Sequence, residues 1–331
     1  MLLKKKVDLR QYSTFNIGGI AEFFAEPASY EELQVLLQKI KDANLEPFFF
    51  GFGSNLLFPD FPSGTICYVS LKLLNGFTLT DHSLTVSSGL PLSLLSIFGL
   101  LTANRDFDFT YLLPGSVGAG IFINARYLER EVSQIVGEIN YIDLDSVDFE
   151  LQTIGKEDCH FAYKSSVFQV KNRLIISAGF PLSVNTEISN NNIELIRVFL
   201  DKESLSLSQL PSFLAGFQRL RISLEKRGFP TEELKKIESK RESYGHFSYP
   251  SAGSVFKNDR RLGQPVGKII DGFGLKGKRC GEAMISPHHG NIIINCGQAK
   301  AADVISLMDL MKEAVYREYG TELSPEIVIV K

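Results

Sequence analysis

Apolar residues recur along the first sixty positions with two different periods. Leu33, Leu36, Leu37 and Ile40 fall at i, i+3, i+4 and i+7, the spacing that turns one face of a helix toward a core. Ser29-x-x-Glu32, just ahead of them, has the form of a capping box and predicts the helix start; Asn44 marks its expected stop. The Pro47-to-Phe50 run then reads as a buried strand leading into Gly51-Phe52-Gly53-Ser54-Asn55. A second apolar run, Leu56-Leu57-Phe58, follows at once, so these glycines join strand to strand-like chain. A Rossmann dinucleotide site needs a helix opening at the third glycine, which this pattern does not provide.

From Ile66 to about Gly179 the pattern is one of short strands separated by turn residues. Strands are expected over residues 84–86, 139–142, 147–151 and 174–176, with a helix over 92–101. The polar stretch 183–192 is the best linker candidate. Phe213, Leu214, Phe217, Leu220 and Leu224 then mark an amphipathic helix ending at Lys226-Arg227-Gly228, with Pro230 just beyond. The charged run 232–242 reads most simply as a solvated helix face. In the last third, Ile292 to Ile294 form a buried strand. Val304, Leu307, Met308, Met311 and Val315 form a core stripe on a helix stopped by Gly320, and residues 327–330 form a closing strand. The chain has no internal repeat.

A length of 331 residues, at roughly 100–200 per domain, implies two or three domains. With 35 basic against 38 acidic side chains, the net charge of -3 argues against nucleic acid as a main partner. Cys67, Cys159, Cys280 and Cys296 are scattered, without a C-x-x-C pair or histidines at zinc spacing. A reducing cytoplasm is therefore expected, with no structural metal. The N-terminus lacks the apolar core of a signal peptide, and the greasiest stretch, 90–101, contains serines and a glycine and is too short to span a bilayer. A soluble protein with no membrane partner is expected, and it is taken as a monomer.

Three glycine-containing segments are candidates for chemistry: residues 51–55, Pro114-Gly115-Ser116-Val117-Gly118-Ala119-Gly120, and the turn expected over 251–258. Glycine lets backbone amides converge on an anion without interference from a Cβ, and neighbouring Ser and Asn add donors. Two such segments within the first 120 residues suit a pyrophosphate, although a plain tight turn explains each one singly. His288-His289 lacks a carboxylate or third histidine at metal spacing. No G-x-S-x-G elbow surrounds Ser254, and Glu326 by default is a surface carboxylate.

Taken together, the segments resemble the UDP-N-acetylenolpyruvoylglucosamine reductases (UDP-N-acetylmuramate dehydrogenases) of bacterial cell-wall synthesis. The matching blocks run in family order over almost the whole chain. They are Tyr12-Ser13-Thr14-Phe15-Asn16-Ile17-Gly18-Gly19, the 51–57 block G-F-G-S-N-L-L, L-P-G-S-V-G from Leu113 and F-A-Y-K-S-S-x-F from Phe161. Y-P-S-A-G-S-V-F-K-N from Tyr249, His289-Gly290-Asn291 with its isoleucines, and Ser324-Pro325-Glu326-Ile327-Val328 complete them. The lead-in Arg241-Glu242-Ser243 resembles the family's second, shorter-loop type.

The resemblance implies an α+β protein: a two-lobed FAD-binding fold of the vanillyl-alcohol-oxidase/p-cresol-methylhydroxylase type with an α+β substrate-binding domain. The lobes are expected over 1–72 and 73–190, linker helices and the substrate domain over 191–319, and a strand returning to the active site over 320–331. It further implies that NADPH reduces FAD, which reduces UDP-N-acetylglucosamine-enolpyruvate to UDP-N-acetylmuramate. Ser254, Lys164 and Glu326 match the family's catalytic positions: Ser254 as proton donor, Lys164 and a protonated Glu326 as partners of the substrate carboxylate. The flavin is expected against Gly51, Gly53, Ser54, Asn55, Leu56, Pro114, Gly115, Ser116, Gly118 and Asn124. Substrate contacts are expected from Tyr163, Lys257, Asn258, His289 and Asn291, the last two with an equal reading as residues that position a wall.

Some positions depart from the family pattern. Lys164 stands where the family usually has arginine, which removes the planar fork that matches a carboxylate. Arg126 replaces a glycine in N-A-G-A-Y, Gly245-His246 replaces Gln-Pro, and Asp259 replaces a proline. Two rival readings stand beside the reductase: a homologue that binds flavin and nucleotide sugar without turnover, and a different oxidoreductase on the same flavin fold.

Overall fold

The computed structural model of the chain describes residues 3–182, 190–203 and 209–331. Ser29 Oγ accepts the Glu32 amide at 3.2 Å, while the Glu32 carboxylate accepts the Ala28 amide at 2.8 Å, one residue earlier than a strict capping box. The Tyr30–Asp42 helix so started buries Leu33, Leu36, Leu37 and Ile40 against a four-stranded sheet. Ile66–Ser70 lies inside that sheet, parallel to both Phe23–Ala25 and Glu46–Phe50, and Leu3–Lys4 adds an antiparallel edge. All five residues of Ile66–Ser70 are buried, which accounts for a run without alternation.

A second sheet has five antiparallel strands in the order Leu151–Gly155, Glu138–Asp143, Arg173–Pro181, Ser83–Ser87, Phe77–Leu79. The strand expected over 147–151 instead begins at Leu151. Asp143 accepts the amides of Asp145 and Ser146 in a turn, which leaves Val147 74% exposed. Every residue of the Leu94–Leu101 helix is buried, so its sequence reads as one apolar run.

The third sheet is antiparallel, ordered Ser251–Ser254, Ile292–Asn295, Ala283–Ile285, Arg279–Cys280. Against it lies the Ala301–Tyr319 helix, with Val304, Leu307, Met308, Met311 and Val315 in the core as expected. The segment 251–258, expected as a turn, is for its first four residues a strand whose register slips between Ser251 and Ser254. The closing strand, Val328–Ile329, is shorter than expected and pairs in parallel with Leu56–Leu57.

Of the linker candidate, residues 183–189 lie outside the described residues, and Asn190 to Asn192 open the Asn190–Glu203 helix. That helix, Leu210–Glu225 and Glu232–Ser243 fall in the stretch expected to hold linker helices. They share a core with the second sheet: Ile196, Phe213, Phe217 and Leu234 cluster with Leu84, Val86 and Ile139. The Glu232–Ser243 helix is also not merely a solvated face, since Leu234, Ile237, Glu238 and Arg241 are buried. Arg221 Nε donates to Glu238 Oε2 at 3.0 Å, and Tyr111 OH and Gln218 Nε2 donate to the same carboxylate at 3.1 and 3.0 Å. Removing one member of such a pair strands a buried charge. Because Glu225 also contacts Arg221 at 3.1 Å, the loss is partly relieved. Glu238→Ala is expected to lower the urea unfolding free energy by about 2 to 3 kcal/mol at unchanged m-value. No helix among the described residues is long and apolar enough to cross a membrane.

Candidate active site

A cavity of about 390 Å³ lies between the first and second sheets. Gly51, Gly53, Ser54, Asn55, Leu56, Pro114, Gly115, Ser116 and Gly118, all expected at the flavin, line it. The two glycine segments are stitched together. Ser54 Oγ donates to the Pro114 carbonyl at 3.1 Å, and a Cβ on Gly51 would stand 2.3 Å from Ser116 Oγ. Gly53 has φ +63°, and a Cβ there would meet the Tyr12 carbonyl oxygen at 2.1 Å. These glycines therefore serve chain-to-chain contact. The side-chain donors are largely committed: Ser116 Oγ caps the Val117–Phe122 helix by accepting the Ala119 amide, and Asn55 Nδ2 donates to the Glu326 carbonyl at 3.1 Å. What stays open are backbone amides. Those of Gly53, Ser54, Asn55, Gly115 and Ser116 donate to no described residue. Unsatisfied amides on a cleft walled by Phe122, Ile123 and Phe168 suit a planar aromatic ligand that carries phosphate.

A second cavity, of about 930 Å³, brings together Tyr163, Lys164, Ser254, Lys257, Asn258 and Glu326 from segments far apart in sequence. Tyr163 and Lys164 form the apex of a tight turn closed by reciprocal hydrogen bonds between Ala162 and Ser165. Lys164 sits there at φ +56°, a strained setting for a lysine. Ser254 ends the bulged strand. Glu326 is held from both sides: its amide donates to the Val255 carbonyl at 2.8 Å, and its carbonyl receives Asn55 Nδ2. Lys164 Nζ lies 2.5 Å from Glu326 Oε1, with the two side chains only 14% and 16% exposed. Arg126, Glu129, Asp259 and Arg260 complete the charged lining. Glu129 pairs with Arg126 and Asp259 with Arg261, so Lys257 and Arg260 have no ion-pair partner among the described residues.

Three expected site residues are placed elsewhere. Asn124, assigned to the flavin, is buried and lines neither cavity; its Nδ2 donates to the Ala162 carbonyl and its Oδ1 accepts the Ser133 amide. Asn291 is buried as well and clamps the Phe256 peptide, donating to its carbonyl at 2.8 Å and accepting its amide at 3.1 Å. His289 accepts the Asn291 amide on Nδ1, and neither residue lines a cavity. Asn291 thus fixes the chain two residues beyond Ser254, and His289 fixes the backbone of Asn291. Asn258 lines the second cavity while its Oδ1 accepts the Val266 amide. Arg126 and Arg260 were not among the expected ligand contacts. Arg126 was visible only as a departure from the family pattern, and Arg260 only by its nearness to the serine block.

His246 packs beside His289, its ring 6.2 Å away. Burial, then the charges of Arg241 and His289, push the His246 imidazole from 6.5 down to about 4. The unfolded chain thus binds this proton first, and stability is lost as pH falls from about 6.5 to about 4, by roughly 3 kcal/mol. Asp108, pushed up to about 6 by burial, works in the opposite sense as pH falls from 6 to 3.8. The His246 contribution is therefore expected as a difference: between pH 7 and 4, unfolding midpoints should fall further for the parent than for His246→Gln.

A family model described as UDP-N-acetylenolpyruvoylglucosamine reductase, C-terminal domain, matches residues 245–330. A UDP-N-acetylenolpyruvoylglucosamine reductase of Synechococcus sp. (strain CC9311) is 30% identical over 332 residues, covering 98% of this chain and 92% of the relative. The enzyme of the same name from Borreliella burgdorferi is 28% identical over 323 residues, covering 98% and 93%. Among solved structures, UDP-N-acetylenolpyruvylglucosamine reductase from Thermus caldophilus aligns at TM-score 0.66 over 99% of both chains, with 24% identity. That likeness gives the chain the same α+β fold.

Proposed function

The chain belongs to the UDP-N-acetylenolpyruvoylglucosamine reductase family and is an oxidoreductase, and on that basis we propose that it reduces UDP-N-acetylglucosamine-enolpyruvate to UDP-N-acetylmuramate for peptidoglycan precursor synthesis, using FAD and NADPH. The cleft between the first two sheets suits FAD, since its apolar walls fit a ring system and its open amides at Gly53 to Asn55 and at Gly115 and Ser116 can donate to a pyrophosphate. When bound, FAD supplies to the substrate's vinyl carbon the hydride it takes from NADPH.

The observation that carries this reading is the meeting of Ser254, Lys164 and Glu326 at one cavity. Hydride addition at the terminal vinyl carbon moves negative charge onto the α-carbon and its carboxylate. Lys164 stabilises that developing charge from a largely enclosed position, where a cation acts more strongly than in water. The arriving carboxylate competes with Glu326 for the same ammonium. Ser254 then delivers a proton to the α-carbon, so hydride and proton together saturate the double bond. Lys257 and Arg260, without carboxylate partners, suit the diphosphate.

Purified protein should be yellow and release FAD on denaturation. Under anaerobic conditions NADPH should bleach the flavin, and the enolpyruvyl nucleotide should restore its absorbance. Bleaching without recovery, with nucleotide binding retained, would instead assign a binding role. A colourless protein that cannot be reconstituted with FAD would overturn the reading altogether.

A further inference from the structure

We propose that Arg126 binds an anionic group of the nucleotide substrate, acting beside Lys164; this rests on the second cavity being the substrate site. The two cations are held very differently. Lys164 is largely enclosed and already engaged by Glu326 at 2.5 Å. Arg126 lines the same cavity, but its carboxylate partner, Glu129 at 2.7 Å, is 91% exposed and only three residues along the same hairpin. An exposed local pair of this kind contributes little in water, so an anion arriving in the cavity can replace Glu129 readily.

The guanidinium is nonetheless oriented in advance. Arg126 Nε donates to the Leu128 carbonyl at 2.5 Å, which fixes the plane of the group, and its central carbon stands 6.0 Å from the Tyr163 ring centroid. The anchoring leaves the Nη edge as the pair of planar donors that matches carboxylate or phosphate oxygens. Leu128 itself is held at φ +55°, as Lys164 is at +56°, so both the hairpin and the tight turn at this cavity carry a strained non-glycine residue, two positions from the cation in one and the cation itself in the other. Lysine at position 164 cannot supply a fork. Arg126 can.

A carboxylate and a diphosphate share this chemistry, and two ligands separate them. Calorimetric titration of the FAD-loaded protein with UDP-N-acetylglucosamine-enolpyruvate is expected to give an affinity about 10- to 100-fold weaker for Arg126→Gly. Arg126→Lys should recover only part of the loss. UDP-N-acetylglucosamine has the diphosphate but no carboxylate. If its affinity falls equally, the diphosphate is the partner; if it is unaffected, the carboxylate is. Glu129→Gln, which removes the competing anion, should bind the enolpyruvyl nucleotide at least as tightly as the parent. Parental affinity of a folded Arg126→Gly protein for both nucleotides would overturn the proposal while leaving the reductase reading intact. A parent protein that binds neither nucleotide would overturn both.

Discussion

Ser254→Ala is expected to leave reduction of the bound flavin by NADPH at the parental rate while slowing its reoxidation by the enolpyruvyl nucleotide about 10²- to 10⁴-fold. The substitution is structurally clean. Ser254 Oγ has no hydrogen-bond partner among the described residues, and the backbone at this position is set by pairing with Ile292. Only the hydroxyl is lost, at a cavity shared with Lys164 and Glu326. Stopped-flow absorbance resolves the two half-reactions. Equal slowing of both would indicate damage to the flavin site and remove the assigned role of proton donor.

Lys164→Met is expected to slow the same reoxidation step about 10²- to 10³-fold, the scale seen when a single charge-stabilising group is removed from a developing anion. Methionine keeps an unbranched side chain one heavy atom shorter but leaves the Glu326 carboxylate, only 16% exposed, without its ammonium. Lys164→Arg should retain activity within a few-fold, because the charge persists and the fork geometry improves. Single-turnover rates for the two variants, measured beside the parent, decide the matter. A fully active Met variant would mean that another cation of the cavity stabilises the charge.

Where one element buries a regular apolar face, the sequence was readable: the 3.6-residue spacing of Leu33 to Ile40 and of Val304 to Val315 located both helices and their buried sides. Reading failed where polar side chains turn inward or small ones dominate. Glu238 and Arg241 look like surface charges, and only the neighbouring Arg221, Tyr111 and Tyr127 show why they are buried. Ser251 to Ser254 has no alternation of large and small side chains, so a bulged strand resembled a turn.

The site divides in the same way. Asn124 and Asn291 have the chemistry of ligand donors, but backbone groups across the fold claim them, a competition invisible without tertiary contacts. Ser254, Lys164 and Glu326 carry no mutual spacing signal; the family resemblance alone pointed to their meeting. Arg126 shows in the sequence as a departure from the family pattern, but its place at this cavity is set by the hairpin that begins there.

Val328–Ile329 lies edge to edge with Leu56–Leu57, and Asn55 grips the Glu326 carbonyl, so the rim of one chamber is mechanically continuous with the carboxylate that serves the other. With the proposed occupants in place, a shift in the 51–55 loop would reach the Glu326 backbone through these few bonds. Whatever one occupant gains from the other's presence must then be returned in equal measure, since linkage between two binding events runs both ways.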